Sequence, residues 1–336
     1  MSYQQDPPFC IQVELAEGCN LRCDFCAVQS IQEKQGKDYN FMTEHTISVL
    51  GSEVARLGWN PRIELAMHGE PTMHPEVVEM VRLLRAYLPR QQLMMTSNGG
   101  GLLPNVVQKL RELFDAGLNV FAFDAYESVK IHEKVGDALF GPNTEPYEQG
   151  SNSSFSAGVY PDNPEFNPHV RRPKGTRLFV WVRDISKATK GTHANLTNQG
   201  GTAAAPNQSR EGERCAKPFR ELSVRWDGNV AVCCDDWRGV YKCGNVAETP
   251  LDELWNGPRF AAARVYLIKG ERSSLKPCDG CDVRSNRVGL LPDKFGVVKL
   301  PDPTQEDADQ ASEAMSGAPY SKVVAREWEL VKLGRK

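Results

Sequence analysis

The chain has 336 residues, 40% of them hydrophobic and 25% charged, with a formal net charge of −3. This length supports a large core and two domains. The charge balance makes no general case for nucleic-acid binding, no apolar run is long enough to span a bilayer, and "MSYQQDPPFC" has no apolar export segment, so a cytoplasmic protein without a membrane anchor is expected.

Strand-like and helix-like segments alternate through the first half. "FCIQVEL" (9–15) reads as a buried strand, followed directly by a cysteine-rich loop. "MTEHTISVLGSEVARLG" reads as a helix capped by Thr43 and stopped at Gly58. "RIELAM" is a second strand and "HPEVVEMVRLLRAYLP" a helix, with Pro75 suited to its first turn. "QLMMTS" is a third strand, "NVVQKLRELFDAG" a helix closed by Gly117, and "NVFAFDA" a fourth strand before a short helical stretch near 128–139. The alternation then fails: 141–175 is rich in Gly, Pro, Asn and Ser and reads as a long irregular loop. "TRLFVWVRDI" is one more strand, "RELSVRWDGNVAVCC" a hairpin turning at Asp227-Gly228, "LDELWNGPRFAAARVYLIKG" helical, and "PCDGCD" a tight turn.

The expected fold class is α/β: a partial (β/α) TIM-like barrel, then a small α+β cluster-binding domain. The boundaries read from composition are a barrel over 1–185, a linker over 186–213, the small domain over 214–295 and a polar tail over 296–336. In such folds functional groups gather on loops after the C-terminal ends of the strands.

Ten cysteines in a chain of this kind point to metal or redox chemistry rather than a disulfide framework. Cys19, Cys23 and Cys26 lie within "CNLRCDFC", separated by three and then two residues. A structural zinc site or a fully ligated iron–sulfur cluster takes four protein ligands, whereas three thiolates leave one metal position free for an outside ligand. On spacing alone a partial zinc motif stays open.

The stretch resembles the radical S-adenosylmethionine (radical SAM) superfamily, whose C-x3-C-x-aromatic-C signature follows the first barrel strand. "CNLRCDFC" fits in spacing, in location and in the aromatic Phe25. "HGEP" resembles the family's Gly-Gly-Glu motif through Gly69 and Glu70, with His68 where a glycine is usual. "TSNGG" resembles its Thr-Asn-Gly segment, and Asp124 stands where the family often has an acid near the SAM ribose. The resemblance implies a [4Fe–4S] cluster on Cys19, Cys23 and Cys26, with S-adenosylmethionine at its free iron. Phe25, Gly69, Glu70, Ser97, Asn98 and Asp124 would shape the SAM site. Electron transfer would cleave SAM to methionine and a 5′-deoxyadenosyl radical that removes hydrogen from an unactivated C–H bond.

Downstream, Cys215, Gly228 and Cys233 follow C-x12-G-x4-C, and Cys278 and Cys281 form a C-x2-C turn. Four thiolates satisfy a closed tetrahedral site, and zinc and [4Fe–4S] fit the spacing equally. The region, with "GNV" and "LDELWN", resembles the shortened SPASM/twitch extension of radical SAM enzymes, which implies one auxiliary [4Fe–4S] cluster. Cys233 rather than Cys234 is the expected ligand, because it fits the spacing from Gly228; Cys10, Cys234 and Cys243 are then spare. Trp226, Trp237 and Trp255 read as core or shielding of this second site, and Arg177 and Arg183 as surface ion pairs or SAM carboxylate contacts.

The expected function is radical SAM modification (oxidation, crosslinking, epimerisation or rearrangement) of a peptide, amino-acid-like or other small-molecule substrate, with flavodoxin or ferredoxin as reductant. A nucleoside or nucleic-acid base is the alternative substrate class. A non-catalytic iron–sulfur electron-transfer or metal-binding protein is the alternative from another class.

Overall fold

The structure is a computed structural model and describes residues 5–36, 38–126, 158–160, 178–184, 197–203 and 210–283. The expected helix near 128–139, Arg177, most of the 141–175 loop and the 296–336 tail lie outside the described residues.

The strands are β1 (Cys10–Val13), β2 (Ala16–Glu17), β3 (Asn40–Phe41), β4 (Arg62–Leu65), β5 (Leu93–Ser97), β6 (Val120–Ala125), β7 (Gly158–Tyr160), β8 (Leu178–Asp184), β9 (Glu221–Val224), β10 (Asn229–Ala231) and β11 (Lys242–Asn245). The helices are α1 (Val28–Gln35), α2 (Glu44–Arg56), α3 (Val77–Tyr87), α4 (Val106–Asp115), α5 (Lys217–Arg220), α6 (Leu251–Asn256) and α7 (Pro258–Lys269). Nine strands form one sheet in the order β11-β10-β9-β1-β4-β5-β6-β8-β7. β1, β4, β5, β6 and β8 run parallel, the arrangement that strand–helix alternation produces.

Alternate residues of the parallel strands face a helical layer. Ile11, Val13, Ile63, Leu65, Leu93, Met95, Phe121 and Phe123 join the apolar stripes of α2, α3 and α4 in a single core. In α2 that stripe is Ile47, Leu50 and Val54, at helical spacing, and Thr43 caps the first turn by accepting from Thr46 N at 3.2 Å. On the other sheet face, Gln12 on β1 donates to Glu64 on β4 at 3.3 Å.

Four features differ from the sequence reading. The cysteine loop is followed by α1, a helix with a weak apolar pattern that periodicity did not reveal. Inside the expected 141–175 loop, β7 pairs antiparallel with β8. The expected single helical run splits into α6 and α7 at Gly257, whose extended backbone (φ −74°, ψ 170°) ends one helix and starts the next. Most consequentially, β9 pairs in parallel with β1, Cys10 opposite Glu221 and Val13 opposite Val224. The hairpin of the second domain thus extends the barrel sheet, and one hydrophobic core runs through both halves.

Candidate active site and its neighbouring cysteine site

The first site forms where β1, β4, β5 and β6 end. Cys19, Cys23, Phe25, Cys26, Gly69, Glu70, Ser97, Asn98 and Asp124 all line one cavity of about 150 Å³. Each sits just beyond the C-terminal end of its strand, or on its last residues, so parallel pairing alone brings them together.

Backbone contact fixes the loops against each other. Gly69 bridges to Gly18, and Glu70 N donates to Gly18 O at 2.8 Å. A Cβ on Gly69 would strike the backbone oxygens of Ala16 and Gly18, so only glycine lets the β4 loop lie against the chain that carries Cys19.

Glu70 is the hub of the opposite wall, although it is 2% exposed. Its carboxylate accepts from Thr72 N at 3.0 Å, Ser97 Oγ at 2.5 Å, Asn98 N at 2.7 Å and the Thr72 hydroxyl. Burial pushes its pKa above the usual carboxylate range, against the pull of these donors. Asn98 spans from this wall to the cysteines: its Nδ2 donates to Cys19 Sγ at 3.4 Å and to Asn20 Oδ1 at 3.0 Å. Phe25 stacks on Tyr126 with ring centroids 5.9 Å apart, closing the cavity on the β6 side. Burial raises the Cys19 thiol to about 12 and raises that of Cys26 as well.

Among the residues that also line the cavity without having been expected there are Tyr126, Trp237 and Gln199. Trp237, expected at the second site, reaches the first and packs on His68 with ring centroids 4.8 Å apart. Trp226 instead donates to Glu14 and Glu17 at 3.1 Å each, and Trp255 lies in the core with Arg264 over its ring at 4.4 Å. Gln199 belongs to the expected linker, and no local pattern marks it. Arg183 occupies a β8 position paired with Asp124.

His68 has a structural reason to replace glycine. It is fully buried, with Nδ1 2.6 Å from Glu14 Oε1 and Nε2 2.7 Å from the Cys234 carbonyl oxygen. Arg225, from the β9–β10 hairpin, completes the group through Glu14 and Glu17. A buried polar network therefore ties the β4 loop to the second cysteine site. Burial alone would raise the Glu14 carboxyl, but His68 and Arg225 outweigh it and hold it below its ordinary value.

At that second site Cys215, Cys233, Cys278 and Cys281 line a common small cavity. Lys217, Arg272 and Asp235 line it too, with Lys217 Nζ 3.0 Å from Asp235 Oδ2, so Arg272 is the cation that suits a cluster carrying the negative charge of four thiolates. Arg272 donates to the carbonyls of Glu213, Arg214 and Val283, fixing the chain beside Cys215 and Cys281. Cys234 lies outside the cavity lining: its Sγ accepts from Lys217 Nζ at 3.0 Å. Cys10 and Cys243 are buried on β1 and β11.

The donor sets fit iron–sulfur clusters: three thiols facing a polar wall in one cavity, four thiols with Lys217, Arg272 and Asp235 at the other. Among the described residues no three His, Cys, Asp or Glu side chains converge at the spacing of a single metal ion. Clusters bridged by sulfide hold their thiolates wider apart than one ion does. No helix among the described residues is long and apolar enough to cross a membrane.

Residues 13–137 match the radical SAM superfamily, and residues 215–282 match SPASM, an iron–sulfur cluster-binding domain. The S-adenosyl-L-methionine-dependent 2-deoxy-scyllo-inosamine dehydrogenase of Niallia circulans is 23% identical over 273 residues, covering 81% of this chain and 92% of its own. The tungsten-containing aldehyde ferredoxin oxidoreductase cofactor-modifying protein of Pyrococcus furiosus is 23% identical over 326 residues, covering 81% of this chain and 88% of its own. The crystal structure of BtrN in complex with AdoMet and 2-DOIA shares the fold at a TM-score of 0.61 and 20% identity, over 83% of this chain and 94% of that one. With three thiols and a polar wall in one cavity, and a four-thiol site beside the same sheet, residues 13–137 form a radical SAM domain and 215–282 a SPASM domain, whose cofactors are S-adenosylmethionine and [4Fe–4S] clusters.

Proposed function

We propose that the protein is a radical SAM enzyme that abstracts hydrogen from an unactivated C–H bond of a small molecule, and that its auxiliary domain spans about 214–295. The observation that carries the reading is the single cavity shared by Cys19, Cys23, Cys26, Glu70, Ser97, Asn98 and Asp124. The substrate class is supported by the two relatives, named for a dehydrogenase of a cyclitol amine and for a cofactor-modifying protein.

Cys19, Cys23 and Cys26 would hold the cluster whose open iron binds SAM; Cys215, Cys233, Cys278 and Cys281 would hold the auxiliary one. When bound, the first cluster would supply the electron for cleavage of SAM to methionine and a 5′-deoxyadenosyl radical. The chain's own part is placement. Glu70 holds the ends of β4 and β5 in register through four donors, so that Asn98 faces Cys19 and the cavity keeps its polar wall. Asp124, near the end of β6 and in the cavity lining, would take ribose hydroxyls. Phe25 and Tyr126 narrow the side of the cavity and limit water. The reductant would be a flavodoxin or a ferredoxin.

The test is anaerobic reconstitution with iron and sulfide, an iron count, reduction, and assay of 5′-deoxyadenosine. Wild type is expected to hold about eight irons, four per cluster, and to form the nucleoside. C19A/C23A/C26A should lose about half the iron and all cleavage. Full loading of the wild type without cleavage or SAM binding would sink the enzyme reading in favour of an electron-transfer protein. Deuterium transfer from labelled candidates into deoxyadenosine then identifies the substrate, with peptides and nucleosides as the competing classes.

A further inference from the structure

The side chain that joins the two cysteine sites comes from the loop between β10 and β11, where Asp235, Asp236 and Trp237 follow Cys233 and Cys234. Asp236 folds this loop back on itself: its carboxylate accepts from Val240 N at 2.9 Å and from Tyr241 N at 2.8 Å. Arg225 Nη1 donates to Asp236 O at 3.2 Å, and the Cys234 carbonyl oxygen lies 2.7 Å from His68 Nε2. The backbone before Trp237 is thus tied at two points to the buried polar group beside the β4 loop. Trp237 then packs on His68, with ring centroids 4.8 Å apart.

Trp237 covers a place that the main core does not reach. It is 9% exposed and forms, with Ala27 and Val28 at the start of α1, a small apolar cluster separate from the core of the sheet. Cys19, Cys26 and Ile31 pack against that cluster, and Cys23 is not part of it. The indole is by far the largest of these side chains, so it supplies most of the apolar cover beside two of the three thiols. The same residue lines the cavity. Phe25 and Tyr126 close the β6 side from the barrel itself, whereas Trp237 closes the side of the β4 loop and is delivered by the auxiliary region.

We propose that Trp237 is a positioning residue that seals the first cysteine site: through this one indole, the auxiliary region keeps water and dioxygen from Cys19 and Cys26 and from the cluster they would carry. This rests on the ligand role proposed for those thiols. The apolar shell around a metal site controls solvent access and local dielectric, and a site closed to water protects reactive intermediates from side reactions. Seating of the auxiliary region therefore governs how well the first site is protected, without the region supplying a ligand to it.

The test uses W237A, W237L and W237F in the full chain. In the apoprotein, alkylation of each cysteine by iodoacetamide is followed by peptide mass spectrometry. W237A should speed labelling of Cys19 and Cys26 about tenfold while Cys23 and Cys281 keep their wild-type rates. W237L should fall between, and W237F, which keeps an aromatic ring, should stay near wild type. In the reconstituted protein, W237A should lose the SAM-perturbed EPR signal in air about tenfold faster than wild type and retain the iron of the auxiliary site. Should W237A fold or load iron poorly, W237L decides the matter, with Cys23 as the reference in the same sample. Unchanged labelling of Cys19 and Cys26 in W237A and W237L overturns the proposal. So does a rise shared equally by Cys23 and Cys281, which would report general loosening. A wild-type cluster whose EPR signal ignores SAM overturns the underlying functional reading instead.

Discussion

The two cysteine sites border one sheet, the first beyond the C-terminal ends of its parallel strands and the second beyond β10, which runs antiparallel to β9, and they are built for different tasks. At the first, three thiols face a wall of neutral and acidic oxygen groups across a cavity of about 150 Å³. At the second, four thiols close on one another with Lys217, Arg272 and Asp235 beside them, and burial raises every one of the four thiol pKa values, Cys281 to about 12. An open position with oriented polar groups suits a cluster that binds a ligand. A complete thiolate set with Arg272 beside it suits one that stores charge or braces a domain.

The contrast breaks most visibly at the ligands. C233S should cost about four irons while leaving SAM-dependent EPR changes at the first cluster. C234S should keep the full iron count, because the Cys234 thiol is engaged by Lys217 outside the cavity. Equal iron loss in both would mean that the pair shares the ligand role.

On the open side, E70A removes the acceptor for four donors, leaving buried N–H groups of Thr72 and Asn98 unmatched. SAM affinity, measured by equilibrium dialysis of the reconstituted protein, should fall about 10–100-fold. An unchanged affinity would show that Glu70 only fills space. G69A drives a methyl into the Ala16 and Gly18 carbonyls and should destabilise the apoprotein by about 1–3 kcal/mol in urea unfolding.

The smallest expected effect concerns the network between the sites. The Glu14 carboxyl is held below its ordinary pKa, so its stabilisation is present above about pH 4.3 and is lost as pH falls through the folded value. E14Q should therefore differ from wild type in thermal stability at pH 7 and converge with it towards pH 3. A gap that persists at low pH would assign the effect to packing.

Much of the first site was legible because each motif directly follows a strand of strong apolar character. Once "FCIQVEL", "RIELAM", "QLMMTS" and "NVFAFDA" are parallel neighbours, Cys19–Cys26, Gly69-Glu70, Ser97-Asn98 and Asp124 must meet at one end. His68 was visible only as a departure from a motif, because its partners Glu14 and the Cys234 carbonyl are 54 and 166 residues away. Gln199 carried no signal at all. Its surroundings read as loop, and its position comes from Asn198 and two glycines fitting a surface made by residues 235 and 280–282.

By itself, the sequence determined the parallel strands, the helices that cover them and the close grouping of Cys19, Cys23 and Cys26, since these follow from local periodicity and fixed short spacings. Only the tertiary structure decided that β9 lies beside β1 and that Trp237 and Gln199 reach the first cavity. Local patterns set which face of an element is buried. Which distant element buries it depends on closing long loops and matching shapes, and no short window of residues carries that information.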